Sequence, residues 1–101
     1  MTEDFFFSKI GVMKKRSIKN IRKKIDSIDR RTVKLLLRRM ELSKRISDQK
    51  KEITDSKREE IVFKNITEQS KGKLTEKFLK NIFSLIIEES KKIQQKEKKQ
   101  S

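Results

Sequence analysis

The stretch from Ile18 to Lys51 most constrains the fold, because it runs for 34 residues without Gly or Pro. At 1.5 Å per residue, one helix of this length is about 50 Å long, which is more than one small domain can cover. The stretch therefore predicts a long helix that packs against a second copy of the chain. Apolar residues recur along it at spacings of three, four or seven, the pattern of one helical seam: Ile18, Ile21, Ile25, Ile28, Leu35, Leu42 and Ile46.

A second, shorter helix is predicted to begin at Asp55. Ser56 and Glu59 have the spacing of a capping box, and Asp55 is itself a good first residue for a helix. Gly72 is a natural stop, so the helix should end near it. Its apolar face is predicted to contain Val62 and Ile66.

A third helix of medium length is predicted from Thr75 to about Gln95. Its main seam is predicted to contain Phe78, Ile82, Leu85, Ile86, Glu89 and Ile93. The fold class is therefore all-α, with three helices per chain (long, short and medium) forming a symmetric helical homodimer. We expect residues 18–95 to form the domain, residues 1–17 a basic and poorly ordered leader, and residues 96–101 a polar tail.

The composition restricts the chemistry that the chain can perform. The chain has no Cys and no His, so thiol chemistry, disulfides and the usual ligands of transition metals are excluded, as is the commonest general acid and base. Catalysis would depend on carboxylates, cations and hydrogen bonds, with no metal or other cofactor. The acidic start and the short apolar run at 5–7 do not form a signal peptide, and no window is long enough for a membrane span. We therefore expect a cytoplasmic protein without membrane contacts.

The net charge of +14 raises the possibility of nucleic-acid binding. Most of the positive excess lies in residues 1–24 and 91–101, at the two ends of the chain, where solvated segments are expected. No aromatic residue alternates with the basic ones there, and no nucleic-acid-binding motif occurs. Specific binding of nucleic acid is therefore disfavoured.

Two cations on the long helix indicate an anion-binding site. Arg39 occupies a position where the seam requires an apolar residue, so its guanidinium needs an anion to face. Lys50 follows eleven residues later, three turns along a continuous helix and about 16 Å away. Two long cationic side chains can close this distance around one small anion. Arg39 could also be an arginine whose stem lies on apolar surface, or one that is ion-paired within the fold.

Polar residues on the other two helices complete this predicted pocket. On the third helix, Ser90 and Gln94 lie one turn apart on a stripe that begins with Phe83 and Ile87. At the start of the second helix, three charged residues cluster beside the positive end of the helix dipole: Asp55, Arg58 and Glu59. Together they predict a small, cation-rich pocket for a dianion that also carries a hydroxyl group. The simpler alternatives are a helix cap at Ser56–Glu59 and a solvated face at Ser90 and Gln94.

The sequence resembles the all-helical class of chorismate mutases over about residues 18–95. The similar segments are IRKKIDSID, LLLRRMEL with Lys50 eleven residues after Arg39, ITDSKREEIV, and IFSLIIEESKKIQQ. The arginine–lysine spacing, the D-x-x-R-E start and the IIEES-x-x-x-Q end follow the order of the family. This resemblance implies an intertwined homodimer that binds chorismate at two sites and rearranges it to prephenate, without a cofactor, in phenylalanine and tyrosine biosynthesis.

The resemblance also implies the site residues. The catalytic residues would be Arg22, Arg39, Lys50 and Gln94, and these four would bind substrate together with Asp55, Arg58, Glu59 and Ser90. Val62 and Ile87 would form an apolar wall. Arg22 would come from the partner chain. Spacing is consistent with this, because Arg22 precedes Arg39 by 17 residues, about 25 Å along one helix, so that one helix cannot bring both to one small ligand.

The sequence is also compatible with two other functions. An isochorismate–pyruvate lyase would use a similar pocket, although Glu59 suits the hydroxyl position of chorismate. A non-catalytic basic helical protein that binds nucleic acid or a partner helix would depend on the terminal lysines instead of Arg39 and Gln94.

Overall fold

The computed structural model describes residues 14–49 and 52–100, which form three helices and no strand. Helix α1 spans Lys14–Ile46 and is followed by a 3₁₀ turn at Ser47–Gln49, α2 spans Ser56–Ser70, and α3 spans Glu76–Gln100. Their lengths of 33, 15 and 25 residues follow the predicted long, short and medium order. The predicted all-α class is confirmed. No helix in this described part is long and apolar enough to cross a bilayer.

The chain divides into two compact units, Met1–Leu35 and Leu36–Ser101. In the N-terminal unit, the described residues form the first part of α1, and seam residues lie exposed there: Ile18, Ile25, Ile28 and Leu35. The exposed fraction of Leu35 reaches 70%. A single chain thus leaves much of this seam in water, as expected of a helix that needs a partner. The homodimer itself stays a prediction.

The C-terminal unit contains the last turns of α1, the 3₁₀ turn, α2 and α3. Within it, α3 packs against both α2 and the 3₁₀ turn. The fully buried Ser47 anchors this turn, and its hydroxyl donates to the carbonyl of Lys44 at 2.7 Å. Such hydrogen bonds satisfy carbonyl groups that a helix leaves without partners at its C-terminal end.

The boundaries of α1 differ from the predicted Ile18–Lys51. The helix begins at Lys14, and its α-helical part ends at Ile46. The sequence offers no Gly or Pro that would mark this end, and the change to 3₁₀ geometry occurs where Ser47 is buried. The continuous α-helix that was assumed between Arg39 and Lys50 is therefore wrong, while the distance between these two residues stays a prediction. Lys50, Lys51 and residues 1–13 lie outside the described residues.

Helix α2 is capped by Asp55 and not by the predicted capping box of Ser56 and Glu59. The Asp55 carboxylate accepts a hydrogen bond from the backbone N–H of Arg58 at 3.0 Å, which makes Asp55 the N-cap and Ser56 the first helical residue. This geometry leaves the carboxylate of Glu59 available for another partner.

The C-terminal end of α2 agrees with the predicted stop near Gly72. Lys71 adopts a left-handed conformation with φ 52°, and its N–H donates to the carbonyl of Glu68 at 3.1 Å. Gly72 follows with φ 76°, a conformation that glycine adopts without steric cost.

Helix α3 buries a different face from the predicted main seam. Its most buried residues are Leu79, Ile87, Ser90 and Gln94, whereas Phe78, Ile82 and Leu85 of the predicted seam are exposed. The helix has two apolar stripes. It packs against α2 and the 3₁₀ turn, and Ser90 and Gln94 at the end of the buried stripe form hydrogen bonds with α1. The helix also continues through residues 96–100 instead of ending at about Gln95.

The cap provides a test of this local structure. Asp55→Ala should lower the free energy of unfolding by about 1 kcal/mol, because it removes the side-chain acceptor at the N-cap. Asp55→Asn should retain most of the stability, since Asn caps equally well. Ser56→Ala serves as the matched control and should change stability little. Urea denaturation followed by circular dichroism measures all three, and an equal loss in Ser56→Ala would contradict the assignment of Asp55 as the cap.

Candidate active site

A cavity of about 290 Å³ lies within the C-terminal unit. Its volume is at the lower end of the range of small-molecule pockets, about 300–1,000 Å³. The end of α1, the segment before α2, α2 itself and α3 all contribute to its wall. The lining residues are Arg39, Leu42, Ser43, Ile46, Ile53, Asp55, Arg58, Glu59, Val62, Ile87, Ser90, Lys91 and Gln94.

The structure brings most of the predicted site residues to this one cavity. Among its lining residues are the predicted polar set of Arg39, Asp55, Arg58, Glu59, Ser90 and Gln94, and the predicted apolar wall of Val62 and Ile87. Arg22 belongs to the N-terminal unit, where it lines a separate depression beside Lys19 and Asp26. Lys50 lies outside the described residues, so its place relative to the cavity stays a prediction.

Arg39 is held in place by Ser90. The guanidinium Nη1 donates to the Ser90 hydroxyl at 2.9 Å, which connects α1 to α3. The same hydroxyl lies 3.0 Å from the carbonyl of Ile86 and 3.3 Å from the sulfur of Met40. Because a hydroxyl has one proton but two lone pairs, it can accept from Arg39 while it donates to one of these two groups.

The position of Arg39 favours binding of an anion. Burial lowers the pKa of Arg39 below its usual value, and the nearby positive charge of Arg58 lowers it further. Both effects act against the charged form of the guanidinium, which nevertheless stays protonated near neutral pH. A bound anion would offset the effects of burial and of repulsion by Arg58, because its negative charge stabilises the charged form of the guanidinium. Among the described residues, neither arginine forms an ion pair with a carboxylate.

Among the described members of the predicted site, Gln94 is the most deeply buried, with an exposed fraction of 3%. Its side-chain nitrogen donates to the backbone carbonyl of Ser43 at 3.0 Å, which ties α3 to α1. The Ser43 hydroxyl also lies 3.4 Å from that of Ser90, which brings these polar groups of α1 and α3 together at one side of the cavity.

The two carboxylates of the cavity each have a partner. Asp55 caps α2 through the N–H of Arg58. Glu59 forms an ion pair with Lys91, whose Nζ lies 3.0 Å from Oε2. Within residues 14–49 and 52–100, no cluster of three or more acidic side chains is placed to hold a metal ion.

Lys91 and Ser43 line the cavity but were not predicted from the sequence as residues of the site. Ser43 follows Arg39 by four residues, so helical spacing could have placed the two on one face. Lys91 follows Ile87 by the same interval, but it is one of 29 basic residues, and its type alone carried no signal. Ile53, in the link before α2, could not be placed by periodicity because it lies outside a helix.

Comparison with known proteins gives one match. The sequence model of a family described as chorismate mutase type II matches residues 21–95, about three quarters of the chain. This range includes every residue that lines the cavity, and it also includes Arg22. No curated protein and no solved structure matches the chain. The family match extends over most of all three helices and over the whole cavity, and on this evidence the chain belongs to the chorismate mutase type II family.

Proposed function

We propose that this protein is a chorismate mutase that rearranges chorismate to prephenate. The observation that carries the proposal is the position of Arg39: a partly buried guanidinium, fixed by Ser90, at a cavity that also contains Arg58, Glu59 and Gln94. Chorismate has two carboxylates, a ring hydroxyl and an ether oxygen. The cavity therefore offers cations for the carboxylates, an acceptor for the hydroxyl and an amide donor for the ether oxygen.

The reaction is a Claisen rearrangement, in which a C–C bond forms while the ether C–O bond breaks within one molecule. It requires no nucleophile, proton transfer or metal, and the chain has neither His nor Cys. The protein has to hold the flexible dianion in its compact, reactive conformation and stabilise charge on the departing oxygen. Even an acceleration of about 10⁶ requires a reduction of the barrier by about 8 kcal/mol.

The arginines hold the substrate in its compact, reactive conformation. Arg39 binds one substrate carboxylate, and Arg22 of the partner chain binds the other, with Arg58 adding positive charge to the wall. Ser90 assists through Arg39, because its hydroxyl accepts from that guanidinium while it donates its single proton to the carbonyl of Ile86 or the sulfur of Met40. A guanidinium held in this way loses little rotational freedom when substrate binds.

Gln94 and Lys50 supply the stabilisation that is stronger in the transition state than in the substrate. The amide of Gln94 is fixed by the Ser43 carbonyl and donates to the ether oxygen as negative charge develops there. Lys50 donates to the same oxygen. Glu59 accepts a hydrogen bond from the ring hydroxyl, and Asp55 keeps the first turn of α2 in the conformation that presents Arg58 and Glu59.

The direct test is to incubate the purified protein with chorismate and identify the product. We expect conversion to prephenate that a chelator does not affect. Arg39→Ala should reduce kcat/KM by about 100-fold or more, in the range found when one preorganised donor is removed. Arg38→Ala, an exposed neighbour that does not line the cavity, is the matched control and should stay near wild type. Release of pyruvate from isochorismate, with chorismate unchanged, would assign the protein as the lyase instead.

The role of Gln94 can be tested through pH. In Gln94→Glu the new carboxyl can donate a hydrogen bond only while it is protonated, so activity should be highest at acidic pH and fall as pH rises through the pKa of that group. The wild type has no such group at this position and serves as the reference. Circular dichroism at each pH checks that the variant stays folded, because the introduced carboxylate, once ionised, would also face the Ser43 carbonyl. A pH profile parallel to wild type would contradict contact between Gln94 and the ether oxygen.

Subunit complementation tests the shared site. Arg22→Ala and Arg39→Ala homodimers should each be nearly inactive, because every site then lacks one arginine. When the two variants are refolded together in equal amounts, half of the dimers are mixed, and each mixed dimer has one intact site. Activity should therefore return to roughly a quarter of wild type for two equivalent sites. If mixed dimers form, as shown by mass spectrometry, and activity does not return, Arg22 does not complete the site of its partner.

A further inference from the structure

Lys91 is a cation at the cavity to which the proposed reaction assigns no role. It directly follows Ser90 on α3, and its Nζ lies 3.0 Å from Oε2 of Glu59 on α2. The exposed fractions of the two side chains are only 26% and 28%, so this pair is shielded more than an ion pair on an open surface. Both residues line the cavity.

The surrounding charges show what this ion pair prevents. Glu59 shares the cavity with Arg39 and Arg58, and a guanidinium binds a carboxylate well through two parallel hydrogen bonds. If Glu59 turned toward either arginine, it would neutralise a cation that the substrate carboxylates require. The ion pair with Lys91 holds the carboxylate toward α3 instead.

The ion pair also leaves Glu59 able to accept further hydrogen bonds. A carboxylate has two oxygens with about four lone-pair sites, and Lys91 contacts Oε2. A side chain with three rotatable bonds is thereby restricted before substrate arrives, which reduces the entropy lost when it accepts a hydrogen bond.

We propose that Lys91 is a positioning residue, which holds the Glu59 carboxylate so that it accepts the ring hydroxyl of the substrate and stays away from Arg39 and Arg58. This inference rests on the proposed mutase function and deepens it. Lys91 acts through Glu59 and does not itself contact the substrate. It therefore sets how strongly the enzyme prefers a substrate that carries the hydroxyl over one that lacks it.

The experiment compares two substrates: chorismate, and an analogue in which hydrogen replaces the ring hydroxyl. Lys91→Met keeps most of the length of the side chain and removes its charge. It should lower kcat/KM for chorismate about tenfold more than kcat/KM for the analogue, because only chorismate loses the hydrogen bond between its ring hydroxyl and the charged Glu59 carboxylate. Lys91→Arg, which keeps the charge, should recover most of the activity with chorismate. Lys92→Met is the matched control, since Lys92 is exposed and does not line the cavity.

A double-mutant cycle identifies the residue through which Lys91 acts. In a Glu59→Gln background, Lys91→Met should lower kcat/KM for chorismate less than twofold, because the carboxylate that it positions is already absent. Lys91→Gln provides a second uncharged variant, and urea denaturation shows whether each variant stays folded.

Three results would overturn the inference while leaving the mutase function in place. These are equal kcat/KM values for Lys91→Met and Lys92→Met with chorismate, additive effects of Lys91→Met and Glu59→Gln, and an equal loss with both substrates accompanied by a raised KM. The last result would mean that Lys91 acts on the binding of the substrate carboxylates and does not position Glu59 for the ring hydroxyl. Wild-type protein that leaves chorismate unchanged would instead refute the proposed function, and the inference with it.

Discussion

The hydrogen bond from the Arg39 guanidinium to the Ser90 hydroxyl is the contact on which the site depends. It places a cation from the last part of α1 against the buried face of α3, where Gln94 lies one turn further along. Gln94 in turn reaches back to the backbone of Ser43 on α1. Two polar bonds thus connect the same pair of helices at successive turns. The register of α1 against α3 therefore sets where the Arg39 guanidinium and the Gln94 amide lie relative to each other.

The charge that the cavity presents to a ligand depends on the partners of its two carboxylates. Asp55 is committed to the first turn of α2, and Glu59 to Lys91. Arg39 and Arg58 therefore keep their positive charge toward the cavity, and burial together with their mutual repulsion lowers the pKa of Arg39. An anionic ligand is favoured because both carboxylates that line the cavity already have partners, and the net charge of +14 over the whole chain is of secondary importance.

Spacing along a helix predicted the parts of the structure that depend on one helix at a time. The order of the helices and the shared stripe of Ser90 and Gln94 are of this kind. Features that depend on contacts between helices were not predictable in the same way. The end of α1 at Ile46 coincides with the burial of Ser47, and the covered face of α3 depends on its contacts with α1, α2 and the 3₁₀ turn. Lys91 became recognisable only through its distance from Glu59.

The burial pattern of α3 has a consequence for how this protein could evolve or be engineered. Gln94 and Ser90 are at least as buried as Leu79 and Ile87, so the α3 face that packs on its neighbours ends in polar groups. An apolar residue at either position would remove the hydrogen bond of its partner on α1, the Arg39 guanidinium or the Ser43 carbonyl, at a cost of about 1–3 kcal/mol. Selection for stability would therefore also retain Ser90 and Gln94. Ser90 could be exchanged for an apolar residue at low cost only if Arg39 changed with it, whereas Gln94 bonds a backbone carbonyl that no substitution removes.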